Sequence, residues 1–137
     1  MGLIHLDAGV VIGFLDADDA HHGPAAEALT AALQSGDRLA MAASAFAECL
    51  VGPSRRGGRA VATVNDLFER LPIDIVELDA GTARRAAALR ATHTSLRLPD
   101  ALVIATASER AADHLITTDR RWPTARKLAL TLTITVL

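Results

Sequence analysis

The sequence predicts an α/β domain, a three-layer α/β/α sandwich around a mainly parallel sheet. Short apolar runs alternate along the chain with longer segments of helical character, which is typical of parallel sheets built by helical crossovers. The first run is short and apolar and the fourth is another short run of this kind, as expected for buried parallel strands. Half of the 137 residues are hydrophobic, which is enough for the core of one domain spanning residues 1–137.

The first elements follow from local signals. Residues 3–6 form the first apolar run, and residues 8–15 suit a short helix that ends at a group of acids. Pro24 is expected in the first turn of a second helix, residues 24–35, because proline is favoured there. Gly36 then ends that helix.

The central part repeats the pattern. The run RLAMA, residues 38–42, predicts the second strand. Ser44 is the expected N-cap of a helix over residues 45–52, which Pro53 terminates. A longer helix, weakened by two adjacent glycines, is expected over residues 54–71.

The last part supplies three further strands. Residues 73–78 alternate in polarity and predict a strand, followed by helices over residues 80–93 and 99–112. A buried strand is expected at residues 114–118. Residues 130–136 alternate apolar side chains with threonine and suit a strand at the sheet edge.

Composition excludes several function classes. Aromatic residues make up 3% of the chain and tyrosine is missing, which argues against base-stacking platforms. The net charge of −2 lacks the broad basic footprint of many nucleic-acid binders. The single Cys49 excludes an intrachain disulfide or a cysteine-rich zinc site, and it is expected to be a small buried residue. No signal peptide or apolar run of about 18 residues is evident, so a cytoplasmic protein without a membrane segment is expected.

Four acids fall where parallel sheets place their sites, at or just beyond the carboxyl ends of strands. They are Asp7, Glu48, Asp100 and Asp119. Each has an ordinary explanation as a helix cap, a turn or an ion pair. If they converge, each like-charge pair about 4 Å apart costs about 4 kcal/mol, so bound cations or protons are required. An all-oxygen ligand set suits Mg²⁺ or Mn²⁺, the ions of phosphate chemistry.

At these residues the sequence resembles the PIN domain family, in particular the VapC-type ribonuclease toxins of toxin–antitoxin pairs. Four blocks, LIHLDAGVVIGFLDADDAHH, AASAFAECLVG, LRLPDALVIATA and HLITTDRRW, follow one another in the family's order along the full length. The resemblance implies that the four acids hold Mg²⁺ or Mn²⁺ and that the hydroxyl of Thr117 supports the site. It further implies an endoribonuclease in which metal-activated water attacks RNA, a cognate antitoxin that blocks the site, and a homodimer.

The chain departs from that pattern in one place. The family usually carries serine or threonine one or two positions after the first acid, where this chain has Ala8 and Gly9. A catalytically weak or inactive PIN domain that binds RNA or antitoxin therefore remains an alternative. Two other folds share this topology: a haloacid-dehalogenase-type phosphatase, which Gly9 disfavours, and a receiver domain, for which Lys127 is the only available lysine.

Other polar residues near these blocks have weaker assignments. Arg120 and Arg121 flank the last acid and are the best candidates for RNA phosphate contacts. His21 and His22 are expected in a solvated loop rather than at a metal. Trp122 is expected to be a packing residue.

Overall fold

The computed structural model describes residues 1–137 and contains five strands and six helices. The strands are β1 (Leu3–Leu6), β2 (Arg38–Ala42), β3 (Ile73–Val76), β4 (His114–Thr117) and β5 (Thr133–Val136). The helices are α1 (Ala8–Leu15), α2 (His22–Gln34), α3 (Ala43–Arg56), α4 (Gly58–Arg70), α5 (Ala80–Thr92) and α6 (Leu98–Glu109). The predicted three-layer fold is confirmed.

The five strands form one all-parallel sheet in the order β3-β2-β1-β4-β5. The chain moves from β1 outward to β3 and then crosses back to β4 on the other side of β1. Because such crossovers are right-handed, the reversal puts α1 to α4 on one face and α5 and α6 on the other. The carboxyl ends of β1 and β4 are neighbours at this reversal, which is where open parallel sheets form their sites.

The core is built from small and branched aliphatic side chains. Leu6 and Leu115 are fully buried on the neighbouring central strands, and α6 adds the buried Ile104. Burying each of these side chains stabilises the fold by about 1.5–3 kcal/mol. Trp122, the only tryptophan, is buried at the edge of the same cluster, as expected of a packing residue.

The predicted end of the third helix is wrong. α3 continues through Pro53 to Arg56, and the break falls at Gly57 instead. Gly52 has no Cβ to collide with the proline ring, so the proline costs one hydrogen bond without stopping the helix. Gly57 has φ +119°, a conformation that L side chains rarely adopt, and it separates α3 from α4.

Two other local predictions need correction. Ser44 is not the N-cap, because α3 begins one residue before it and Ala42 occupies the cap position without a side-chain hydrogen bond. The last strand starts only at Thr133, which pairs with His114 at the start of β4. Leu130 lies in a turn and donates its N–H to the carbonyl of Ala125.

None of the helices is both long and apolar enough to cross a membrane.

Candidate active site

Asp7 lies at the junction of β1 and α1 and is bound on both carboxylate oxygens. It is the N-cap of α1, where its Oδ1 accepts the Ala8 N–H at 2.8 Å. Its Oδ2 accepts the Thr117 hydroxyl at 2.7 Å. Asp7 is only 8% exposed and Thr117 is fully buried at the end of β4. These contacts hold the first acid rigidly between the carboxyl ends of two adjacent strands.

Asp119 is tied to the same hydroxyl from the other side. Its backbone N–H donates to Thr117 Oγ1 at 3.1 Å, so Thr117 connects the first acid and the last. The Asp119 carboxylate accepts the Arg121 backbone N–H at 2.9 Å, which is the predicted Asx-type turn. The Arg121 side chain adds two further hydrogen bonds, and Arg121 lowers the pKa of Asp119.

Asp100 projects from the first turn of α6, directly after Pro99. A carboxylate is favoured there because the unpaired N–H groups of the first turn carry partial positive charge. Its Oδ2 lies 3.5 Å from the Nε of Arg97, one turn earlier in the chain. This contact is long for an ion pair, and Arg97 is largely exposed.

Glu48 is the one acid of the four that forms neither a side-chain hydrogen bond nor an ion pair. It lies on the exposed surface of α3 and belongs to none of the structure's ion pairs. Partial burial of its carboxyl raises its pKa, and the negative charges of Asp7 and Asp100 raise it further. Glu48, the acid of the second sequence block, therefore lies close enough to Asp7 and Asp100 for their charges to act on it.

The pKa of Asp7 is also raised. Burial is the largest cause, its hydrogen bonds from Thr117 and Ala8 oppose the shift, and the charges of Asp100 and Asp119 add to it. The charges of Asp100 and Asp119 therefore act on Asp7, and the charge of Asp7 acts in turn on Glu48. All four acids predicted from the sequence lie at the same end of the sheet.

The acids do not, however, form a closed ligand set. No three acidic, histidine or cysteine side chains come close enough together to hold a metal ion. The donors themselves suit a divalent cation, since all are carboxylate oxygens, and the pKa values of Asp7 and Glu48 are raised first by burial and then by the neighbouring negative charges. Mg²⁺ is commonly held by one or two carboxylates and several waters, so a compact cage of four acids is not required.

Two cavities open beside the acids. A small one of about 60 Å³ is lined by Ser95, Leu96, Arg97, Asp100, Asp119, Arg121 and Trp122. A wider, more open one of about 550 Å³ is lined by His21, Thr118, Asp119, Arg120 and Arg121. The second is large enough for a phosphate group with its sugar, and two arginines stand at its rim.

Comparison with known proteins agrees with this geometry. The PIN domain family model matches residues 4–128. The chain belongs to the PIN domain family. No curated protein matches its sequence.

Solved structures of this fold share little sequence with the chain. VapBC2 from Rickettsia felis, bound to a DNA fragment from its promoter, superposes with a TM-score of 0.72 at 14% identity, covering 98% of each chain. Mycobacterium tuberculosis VapC20, described as a sarcin-ricin loop cleaving toxin, has a TM-score of 0.66 at 18% identity, covering 82% of this chain and 86% of its own. FitAcB from Neisseria gonorrhoeae has a TM-score of 0.69 at 20% identity, covering 96% and 95%. At these identities the likeness establishes the fold.

In this PIN domain, the hydroxyl of Thr118 occupies the space that a side chain at Gly9 would fill. A Cβ built on Gly9 would lie 2.2 Å from the Thr118 hydroxyl oxygen. Such a distance does not occur between real atoms, so a side chain at position 9 would force Thr118 to move. A hydroxyl group therefore lies at the start of α1 after all, supplied by Thr118, the residue that follows β4. The signal in the sequence was the second threonine in ITTD.

We expect Gly9→Ala to reduce the free energy of unfolding by about 1–2 kcal/mol, because the clash outweighs the better helix propensity of alanine. Adding Thr118→Ala removes the clashing oxygen, and the double variant should recover most of that loss. Denaturant unfolding of the wild type, both single variants and the double variant measures this coupling. Strictly additive effects would contradict the packing described here.

Sequence reasoning also missed Arg97 as a partner of Asp100. Its signal is the spacing in RLPD, where an arginine at the N-cap position of α6 precedes the acid by three residues. The histidine prediction is wrong for His22, which begins α2, stacks on Phe14 and lies 3.1 Å from the Gly13 carbonyl oxygen. Cys49 is buried as expected, and burial raises the pKa of its thiol to about 12.

Proposed function

We propose that this PIN domain is a metal-dependent endoribonuclease, the toxin of a toxin–antitoxin pair. The observation that carries the proposal is the chain of hydrogen bonds Asp7–Thr117–Asp119 at adjacent strand ends, with the charges of Glu48 and Asp100 directed at it. Buried or partly buried acids without compensating cations destabilise a fold, so they are retained for a purpose. The description of the similar VapC20 as an RNA-cleaving toxin supports the same reaction here.

The chain's residues divide the work. Asp7, Glu48, Asp100 and Asp119 would hold Mg²⁺ or Mn²⁺, and Thr117 orients Asp7 and Asp119 through its hydroxyl. The bound ion would neutralise phosphate charge and activate water for attack on the phosphodiester. Arg120 and Arg121, at the rim of the open cavity, contact phosphate groups of the RNA.

The partners follow from the same assignment. The structural neighbours include a toxin–antitoxin complex from Klebsiella pneumoniae, which supports a cognate antitoxin for this chain. A groove of about 460 Å³ runs between α1 and α3, where the partly exposed Ile12 and Leu15 lie beside Asp16 and Arg56, and this mixed surface is open to such a partner. We also expect a homodimer acting in the cytoplasm, where its RNA substrate is found.

Cleavage of total cellular RNA by the purified chain tests the proposal. We expect cleavage with Mg²⁺ or Mn²⁺, no cleavage in EDTA, and a loss of about 100-fold or more in Asp100→Asn. Asp66→Asn, an exposed change on α4, is the matched control and should cut like the wild type. Equal cleavage in the presence of chelator would refute metal dependence.

One observation favours a second function, an RNA- or antitoxin-binding module with little or no catalysis. Two of the acids are paired with arginines, and no three donors lie together. Mn²⁺ calorimetry separates the two functions. A catalytic site should bind Mn²⁺ through Glu48 and Asp119, so substitution of either acid weakens the binding. An inactive module should show no such binding.

A further inference from the structure

Arg121 contacts both oxygens of the Asp119 carboxylate. Its Nε lies 3.1 Å from Oδ1 and its Nη2 lies 3.1 Å from Oδ2, so the guanidinium contacts both oxygens side by side. The backbone N–H of Arg121 also donates to Oδ1 at 2.9 Å. While this side chain is in place, Arg121 therefore takes three of the roughly four lone-pair positions of the Asp119 carboxylate.

The other acids are held differently. The contacts of Asp7 come from a hydroxyl and a backbone N–H, both of which leave its negative charge uncompensated. Asp100 faces Arg97 through a single longer contact of 3.5 Å. The Arg121–Asp119 pair is therefore the strongest positive contact within the acid cluster, and Arg121 lies at its edge with 78% of its side chain exposed.

We propose that Arg121 is a built-in competitor of the divalent cation, because the Arg121 guanidinium must leave Asp119 before the cation can bind both carboxylate oxygens. This inference rests on the proposed metal-dependent function. A guanidinium and a divalent ion seek the same carboxylate lone pairs, and like charges exclude each other at that distance. The resulting metal affinity is lower than the four acids alone would give.

The geometry allows this exchange at small cost. The backbone N–H of Arg121 keeps Asp119 oriented after the side chain leaves, and so does the Asp119 N–H bonded to Thr117. The released guanidinium remains at the rim of the open cavity, beside Arg120. Metal binding thereby frees the arginine that the proposed function assigns to RNA phosphate.

Calorimetric titration with MnCl₂ tests the inference without measuring cleavage. Wild type, Arg121→Gln and Arg120→Gln are compared; Arg120 is exposed and does not contact Asp119, so both variants lose one positive charge beside the site. We expect Arg121→Gln to bind Mn²⁺ about three- to fivefold more tightly than Arg120→Gln, the range for an exposed but well-aligned ion pair. Arg121→Lys, which keeps the charge but loses the paired contact, should lie between Arg121→Gln and wild type.

The outcomes are distinct. Equal Kd values for Arg121→Gln and Arg120→Gln, or weaker binding by Arg121→Gln, overturn the competition while leaving the proposed function intact. If neither the wild type nor any variant binds Mn²⁺, the proposed function fails as well. Thermal unfolding in EDTA confirms that all four proteins are folded before titration.

Discussion

Asp7→Asn is expected to lower RNA cleavage by about 100-fold or more while leaving the metal-free fold nearly as stable as wild type. The amide has the shape of the carboxylate and can still accept one hydrogen bond, from either Ala8 or Thr117. It lacks the charge needed to hold a divalent ion. Because burial raises the pKa of Asp7, its ionised form is unfavourable in the folded protein, and the neutral amide relieves that cost. Cleavage assays and denaturant unfolding in EDTA measure both effects.

Asp7→Ala should behave differently in the unfolding experiment. It removes the acceptor of the Thr117 hydroxyl and the N-cap of α1, and we expect a loss of about 2 kcal/mol or more. Asp66→Asn, exposed on α4, serves as the control for a generic loss of one acid. A large loss of stability in Asp7→Asn would show that the carboxylate is structural and would weaken its assignment to the site.

The same substitution can be read in cells. If the chain is a toxin, its expression arrests growth, and Asp7→Asn at an equal protein level should not. Arrest by both proteins would point to an effect of binding, as in the alternative of a non-catalytic module.

The positions of the acids could be predicted because they depend on backbone topology. Asp7 and Asp119 follow short apolar runs that can only be buried parallel strands, and parallel strands end at the same edge of their sheet. Asp100 follows a proline that marks a helix start. Hydrophobic periodicity and helix-start residues carry this information directly, so the fold and the grouping of the four acids at one end of the sheet could be predicted from the sequence.

The pairing of the acids was less accessible. Contacts such as Arg121 to Asp119 and Arg97 to Asp100 involve exposed arginines whose ion pairs contribute about 1 kcal/mol or less, so the residue spacing permits these pairs without requiring them. The contact of Thr118 with Gly9 joins residues on two different elements and depends on packing at the scale of single atoms. The break at Gly57 was missed because Pro53 is the stronger generic signal.

The surroundings of His5 could not be predicted from the sequence pattern either. His5 lies within an apolar strand yet carries an ionisable ring. It is 1% exposed on β1, and neither ring nitrogen has a hydrogen-bond partner. Burial and the positive charge of Arg110 lower its pKa to about 4. The pocket that His5 lines also contains Arg38 from β2, Asp74 from β3 and Arg110. The two arginines outnumber the one acid, so the net charge around the ring is positive.

We therefore expect His5 to destabilise the protein in mild acid. The unfolded chain binds a proton near pH 6.5 and the folded chain only near pH 4, so the stability associated with the neutral ring is complete above pH 6.5 and is lost as pH falls toward 4. At pH 5 the loss amounts to about 2 kcal/mol, a substantial part of the 5–15 kcal/mol typical of a domain.

Denaturant unfolding of wild type and His5→Leu between pH 7.5 and 4.5 isolates this effect, because all acids titrate alike in both proteins. The advantage of His5→Leu should grow as pH falls, whereas Ile4→Val, a buried change on the same strand without an ionisable group, should differ from wild type by a constant amount. A His5→Leu difference that stays flat over this range would mean that the ring gains a proton in the folded protein as easily as in the unfolded chain.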